Sequence, residues 1–179
     1  IMRQAGRHLP EYRAIRERHS FQEAVAAPEL ASEVTLQPIR RYDMDGAVIF
    51  ADIMTPLEAM GVSMTFDPGP KLQSMDIDEV ATLPGLDQGK VGSVGDTMGL
   101  VAGQVPGHTA VIGFAGGPVT LLAYLLEGGG SKDFMSMRSA LRSRPDAAAK
   151  ALDRLAVAMN SYLALQVEAG AEVVQLFDT

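Results

Sequence analysis

Three short apolar runs, 46–51 (GAVIFA), 109–114 (TAVIGF) and 172–177 (EVVQLF), stand out from the rest of the chain. Each is mostly β-branched or aromatic and is bounded by Gly, Asp or Pro. That pattern predicts buried parallel strands, not half-exposed alternating ones. Helical spacing fills the intervals. Pro28-Glu29-Leu30 opens a helix to Tyr42, with Leu30, Val34 and Ile39 on or near one face and Pro38 as a kink. Residues 87–103 read as a glycine-interrupted helix, Pro118 starts another through Glu127, and Pro145-Asp146 starts a long one over 145–169. A further helix runs from Glu11. Residues 61–86, rich in Pro, Gly and Asp, read as an excursion between elements.

Strands separated by helices predict an α/β chain with right-handed crossovers. Strand starts at 46, 109 and 172 lie 63 residues apart, so turns and loops must decorate each crossover. Each strand runs into distinctive chemistry: Asp52 after the first, Phe114-Ala115-Gly116-Gly117-Pro118 at the second, Asp178-Thr179 at the third. The carboxyl ends of parallel strands form the working face of (β/α) barrels and of open doubly wound sheets alike. No GxGxxG follows the first strand, and the Gly116-Gly117 turn lacks a third glycine, so the closed barrel is the preferred architecture.

With 179 residues and 47% hydrophobic content, the chain can build a sizeable core. The absence of cysteine excludes disulfides and sulfur-based metal sites. His8, His19 and His108 offer no ligand spacing, and no structural metal site is expected. No apolar stretch approaches the roughly 20 residues that span a bilayer. The expectation is a soluble, cytoplasmic protein. The opening Ile-Met and the stop after an apolar run read as a piece of a longer chain.

Charge is unevenly placed. The whole chain carries −7, yet its first 20 residues hold Arg3, Arg7, Arg13, Arg16 and Arg18 against only Glu11 and Glu17. So small a basic patch is not the extended face that nucleic acid needs. It suits a compact ligand bearing several carboxylates or phosphates, which guanidinium forks grip with paired hydrogen bonds. Gly6 weakens any helix joining Arg3 and Arg7, so a loop moulded on a ligand competes with a pair of solvated surface arginines. Asp52 reads either as the N-cap of a helix starting near Pro56 or as a catalytic carboxylate facing a cationic or N–H-bearing group. Tyr124 reads as core or site alike. Glu127-Gly128-Gly129-Gly130-Ser131-Lys132 fails the Walker pattern, because its glycines follow a helix and Ser precedes Lys. A helix exit or lid hinge is the alternative.

Met2-Arg3-Gln4-Ala5-Gly6-Arg7-His8-Leu9-Pro10-Glu11-Tyr12-Arg13 resembles the opening signature of the uroporphyrinogen decarboxylase family. Phe50-Ala51-Asp52-Ile53 resembles its aspartate-bearing strand end. Gly113 to Pro118, Thr120-Leu121, Tyr124 and Glu127 to Lys132 are similar to a second signature, and Ala169 to Thr179 to a third. His8 stands where the family often has Tyr.

The resemblance implies a (β/α)8 TIM barrel, of which residues 1–179 would be the amino-terminal part of one domain, truncated at both ends and covering about three barrel strands. It implies a carboxy-lyase of haem biosynthesis, working as a homodimer without cofactor, that turns the four acetates of uroporphyrinogen III into the methyls of coproporphyrinogen III. By motif position, Asp52 would accept the pyrrole N–H groups. Arg3, Gln4, Ala5, Gly6 and Arg7, helped by Arg16, would bind substrate carboxylates. Tyr124 and Thr179 would share the cleft, with Phe114 on its apolar wall. Three strands of eight would leave open sheet edges and an inactive piece. The alternatives are a corrinoid- or thiol-dependent methyltransferase of the same superfamily, or a non-catalytic fragment.

Overall fold

A computed structural model describes residues 7–66 and 69–178. Nine helices and five strands follow in chain order among these residues: α1 (Pro10–Arg16), α2 (Phe21–Ala26), α3 (Pro28–Tyr42), β1 (Gly46–Val48), α4 (Thr55–Ala59), β2 (Met64–Phe66), β3 (Pro70–Leu72), α5 (Ile77–Ala81), α6 (Gln88–Ala102), β4 (Ala110–Gly116), α7 (Pro118–Glu127), α8 (Met135–Ser143), α9 (Pro145–Glu168) and β5 (Val173–Phe177). The three apolar runs form one sheet in the order β1-β4-β5. β1 and β4 are parallel, with Gly46↔Ala110, Ala47↔Val111 and Val48↔Ile112 in register. Along the other side of β4, Glu172 donates to Val111 and Gly117 donates to Phe177, so partner numbers rise together and this pairing is parallel too. Strand order follows chain order with no reversal, as neighbouring strands do in a barrel.

The excursion at 61–86 contains an antiparallel pair, β2 with β3, and the short helix α5. Two helices absent from the sequence reading, α2 and α8, are present. α2 opens on a capping box in which Ser20 and Glu23 exchange side-chain and backbone bonds. These bonds hold the Glu23 carboxyl below its ordinary pKa. α3 continues through Pro38 to Asp43, whose left-handed φ of 49° ends it.

The described chain falls into two compact units. The first takes in the chain up to Asp52, Val91–Phe114 and Leu163–Gln175; the second takes in Ile53–Lys90, Ala115–Tyr162 and the chain from Leu176. In the first, Leu9, Tyr12, Ala24, Val25, Ala31, Val34 and Phe50 form one buried cluster, with Ile15 and Phe21 packed on it. In the second, α7 buries Leu121, Leu122 and Leu125 completely. The long helix α9 contributes to both through Ala148, Ala151, Leu155, Met159, Tyr162 and Gln166, all buried at intervals of three or four. Apolar side chains on β5 are more exposed: Val173, Val174 and Leu176 all lie above 40%.

In the first unit α1 is tied to α3 by a two-pronged pair, Arg41 Nε to Glu11 Oε1 at 2.5 Å and Nη2 to Oε2 at 3.0 Å. The guanidinium hydrogen bond holds the Glu11 carboxyl below its ordinary value. A depressed folded pKa stabilises above the unfolded value and ceases to as pH falls through the folded one. The urea midpoint of wild type should therefore drop toward that of Glu11→Gln as the solution is acidified. Parallel midpoint curves from pH 7 to pH 3 would show that the pair contributes nothing.

Candidate functional site

The site is described from the carboxyl ends of the strands, one unit at a time. In the first unit the expected strand 46–51 pairs only as far as Val48. The Ile49 N–H still reaches the Ile112 carbonyl at 3.2 Å, and register pairing ends there, three residues before Asp52. On the other side of the strand the N–H of Phe50 donates to Thr35 Oγ1 on α3 at 2.9 Å, and that hydroxyl donates to the Ala31 carbonyl at 2.8 Å. Phe50 becomes the hub of an aromatic cluster. Tyr12 meets it edge-on at 6.0 Å and Phe21 at 5.2 Å. Arg16 lies over the Phe21 ring with its guanidinium carbon 6.0 Å from the centroid, and its Nη1 donates to the His19 carbonyl at 2.9 Å.

Arg16 is thus joined through the edge-to-face Phe21–Phe50 pair to the segment that carries Asp52, and both Arg16 and Asp52 are half-buried. Arg7 is exposed ahead of α1. The N-cap position of α4 belongs to Met54, whose side chain makes no cap bond. Phe114, near the end of β4, is buried at 9% exposure. Its N–H donates to Gln166 Oε1 at 2.9 Å and its carbonyl accepts from Gln166 Nε2 at 3.0 Å. Arg3, Gln4, Ala5, Gly6 and Thr179 lie outside the described residues.

In the second unit Tyr124 is half-buried on α7. The N-cap of this helix is Gly117, which has no side chain to offer. Asp178 supplies the missing cap from beyond β5: its Oδ1 accepts the Thr120 N–H at 2.8 Å and the Thr120 hydroxyl at 3.0 Å. An anion at a helix N-terminus also suits the macrodipole. Gly117 is required here, because a Cβ would collide with the Asp178 side chain. At the other end of α7, left-handed Gly128 (φ 77°) is the C-cap. Tyr124's carbonyl accepts from Gly128 at 2.9 Å and Gly129 at 3.1 Å. The triglycine segment is therefore a bonded helix exit. Glu127 then reaches forward, accepting from the Met137 N–H at 3.1 Å and the Ser136 hydroxyl at 3.2 Å.

Asp178 and Gln166 escaped the sequence reading as working residues. For Gln166 a signal existed: it is a polar residue in register with the apolar stripe of α9. Among the described residues no group of three His, Asp or Glu stands close enough to hold a metal ion. No helix there is long and apolar enough to cross a membrane.

Replacing Asp178 by Ala should destabilise the second unit by about 0.5–2 kcal/mol, the usual cost of a lost N-cap. Urea unfolding followed by far-ultraviolet circular dichroism measures this; an unmoved midpoint would deny Asp178 the capping role.

The whole chain, residues 1–179, matches the uroporphyrinogen decarboxylase (URO-D) family. It is 44% identical to uroporphyrinogen decarboxylase of Salinibacter ruber and 46% identical to that of Rhodospirillum rubrum, covering 100% of this chain and 52% and 53% of those proteins. The chain spans about half the length of the curated relatives it matches. Among solved structures, a methyltransferase from Methanosarcina mazei superposes with a TM-score of 0.71 over 87% of this chain and 47% of that one, at 23% identity. That likeness is one of fold.

Proposed function

The chain belongs to the uroporphyrinogen decarboxylase family, and from that premise we propose that it is the amino-terminal part of an enzyme removing carbon dioxide from the four acetate side chains of uroporphyrinogen III. The observation that carries this reading is the family match over all 179 residues. The methyltransferase alternative has only the shared fold behind it, at 23% identity.

The chemistry asks for little machinery. Protonation of a pyrrole carbon makes the ring an electron sink; the acetate's bond to its carboxylate breaks, carbon dioxide leaves, and the bonding electron pair passes into the ring as an exocyclic methylene forms. A proton added to that methylene completes the methyl group while the ring carbon returns its proton, for a net uptake of one proton. Positive charge develops on the ring during this step. A fixed carboxylate beside the N–H groups stabilises that charge more than the resting substrate. Asp52 is assigned this role. Phe50, two residues before it, is held by its N–H bond to Thr35, which supports a fixed placement. Arg3, Gln4, Ala5, Gly6 and Arg7 are assigned to the substrate's acidic fringe, as charge-assisted bonds from a basic loop on an acidic chain favour. Arg16 joins them, in keeping with its seat over Phe21. Phe114 contributes an apolar wall, while Tyr124 and Thr179 complete this part of the cleft. No cofactor takes part. A homodimer in the cytoplasm, acting on a small molecule and not on nucleic acid or membrane, is the assembly that goes with this reading.

The test is a chain completed with the carboxyl-terminal half of the Rhodospirillum rubrum relative. Incubated with uroporphyrinogen, it should yield coproporphyrinogen, without zinc in the purified protein. Asp52→Asn should keep the circular dichroism spectrum and lower turnover at least about a hundredfold, the loss expected when about 2.7 kcal/mol of transition-state stabilisation is removed. Turnover within threefold of wild type would reject the assignment of Asp52. Failure of the completed wild type to make any coproporphyrinogen would reject the function.

A further inference from the structure

Gln166 does something unusual for a helix side chain. It is 1% exposed, and its amide bonds both backbone groups of a single strand residue, Phe114. Direction along β4 shows which groups these are. Ala110 donates toward β1, to Asp45, and the Ile112 carbonyl accepts from Ile49 of the same neighbour. Backbone groups of alternate residues point to the same side of a strand, so those of Phe114 face the β1 side as well. Two register steps beyond Val48↔Ile112, the residue opposite Phe114 would be Phe50. In that register the β1 groups facing Phe114 are those of Ile49 and Ala51, Phe50's own N–H lying on the opposite side of the strand, bonded to Thr35; Phe114 bonds to Gln166 instead.

A carboxamide carries an acceptor and a donor at one end, the pair a parallel strand would otherwise present. The seat is built for it. Gly113 has no Cβ, and a Cβ there would stand 2.6 Å from Gln166 Oε1.

We propose that Gln166 is a positioning residue: its amide replaces β1 as the ladder partner of Phe114 and so keeps the Phe50–Asp52 segment off the sheet, where Asp52 can face substrate. The proposal rests on the assignment of Asp52 as the ring-stabilising carboxylate. Without the amide, buried backbone groups of Phe114 need other partners. Continuing the register supplies them, with Ile49 accepting from Phe114 and Ala51 donating to it. β1 then lengthens and carries Asp52 with it.

Two variants attack the arrangement separately. Gln166→Met keeps the side chain's length and removes the amide's bonds, while Gly113→Ala leaves the amide intact and takes its seat. Residue-resolved hydrogen exchange on the completed chain reads the ladder without reference to activity. In a folded variant the Ala51 amide should exchange at least about tenfold more slowly than in wild type as it joins the strand. Steady-state kinetics on the same proteins should show kcat down by about tenfold or more with KM within about twofold. A merely stabilising Gln166 would lower the melting temperature and leave kcat per folded molecule unchanged. Unaltered Ala51 exchange in whichever variant folds, or wild-type kcat despite a lengthened strand, overturns the proposal. If the completed wild type makes no coproporphyrinogen, the functional reading fails while the exchange experiment still decides whether Gln166 holds the strands apart.

Discussion

The point where β1 stops pairing with β4 organises the first unit. Three register pairs hold the strands together, and after Val48↔Ile112 the side chain of Gln166 intervenes, taking both groups of Phe114. Thr35 takes the N–H of Phe50 on the opposite side of β1. A backbone amide left unbonded in a core costs about as much as a lost hydrogen bond. A strand can therefore leave its ladder inside a protein only where something else accepts its polar groups. Because the partner of Phe114 is a side chain, the departure is encoded in Gln166 and needs no proline or bulge. The departing segment carries Phe50 into the Tyr12 and Phe21 rings, and so links strand geometry to the segment that holds the basic patch.

Elements fixed by local pattern were legible, and those fixed by distant partners were not. The strands at 46, 109 and 172, the helices opened by Pro28, Pro118 and Pro145, and the sheet's α/β class followed from apolar runs and helix-start signals. The length of β1 did not follow, since GAVIFA reads as strand throughout and the competing partner of β4 is Gln166, far along the chain on α9. α8 was missed for the same reason. Its N-cap position is Phe134 in a left-handed conformation with no side-chain cap, and the acceptor for its first turn is Glu127 on the previous helix. α2 had a local signature in Ser20 and Glu23, but six residues give too short a period to stand out. The assignments of Asp52 and Tyr124, like those of Arg3 to Gly6 and Thr179, come from the four-motif resemblance.

Much of the cationic charge on this acidic chain is tied up in holding the fold. Arg41 is committed to Glu11, Arg40 to Glu33, and Arg144 to Asp76 and Asp78, whose positions around the start of α5 let one guanidinium serve both carboxylates. Such exposed pairs are weak individually, yet each fixes where a helix end lies. Arg16 differs: it bonds a backbone carbonyl and lies on an aromatic ring, with no acidic partner in either contact. A guanidinium oriented without being neutralised retains its attraction for an acidic ligand, which an ion-paired one has already spent on its partner.

Capping by distant residues also constrains how the second unit can form. The amino end of α7 has glycine at its cap, and its bonds go to Asp178, some sixty residues later. The helix that bears Tyr124 is therefore finished only when the end of β5 arrives, because a helix N-terminus without acceptors is an unfavourable thing to bury. A bond closed across so long a stretch makes the order of that helix depend on non-local pairing, the slow kind in folding. Coupling of this sort makes the placement of Tyr124 contingent on the third strand of the sheet. A chain that lost β5 would keep the helical propensity of α7 but not the anchor that sets where its first turn begins.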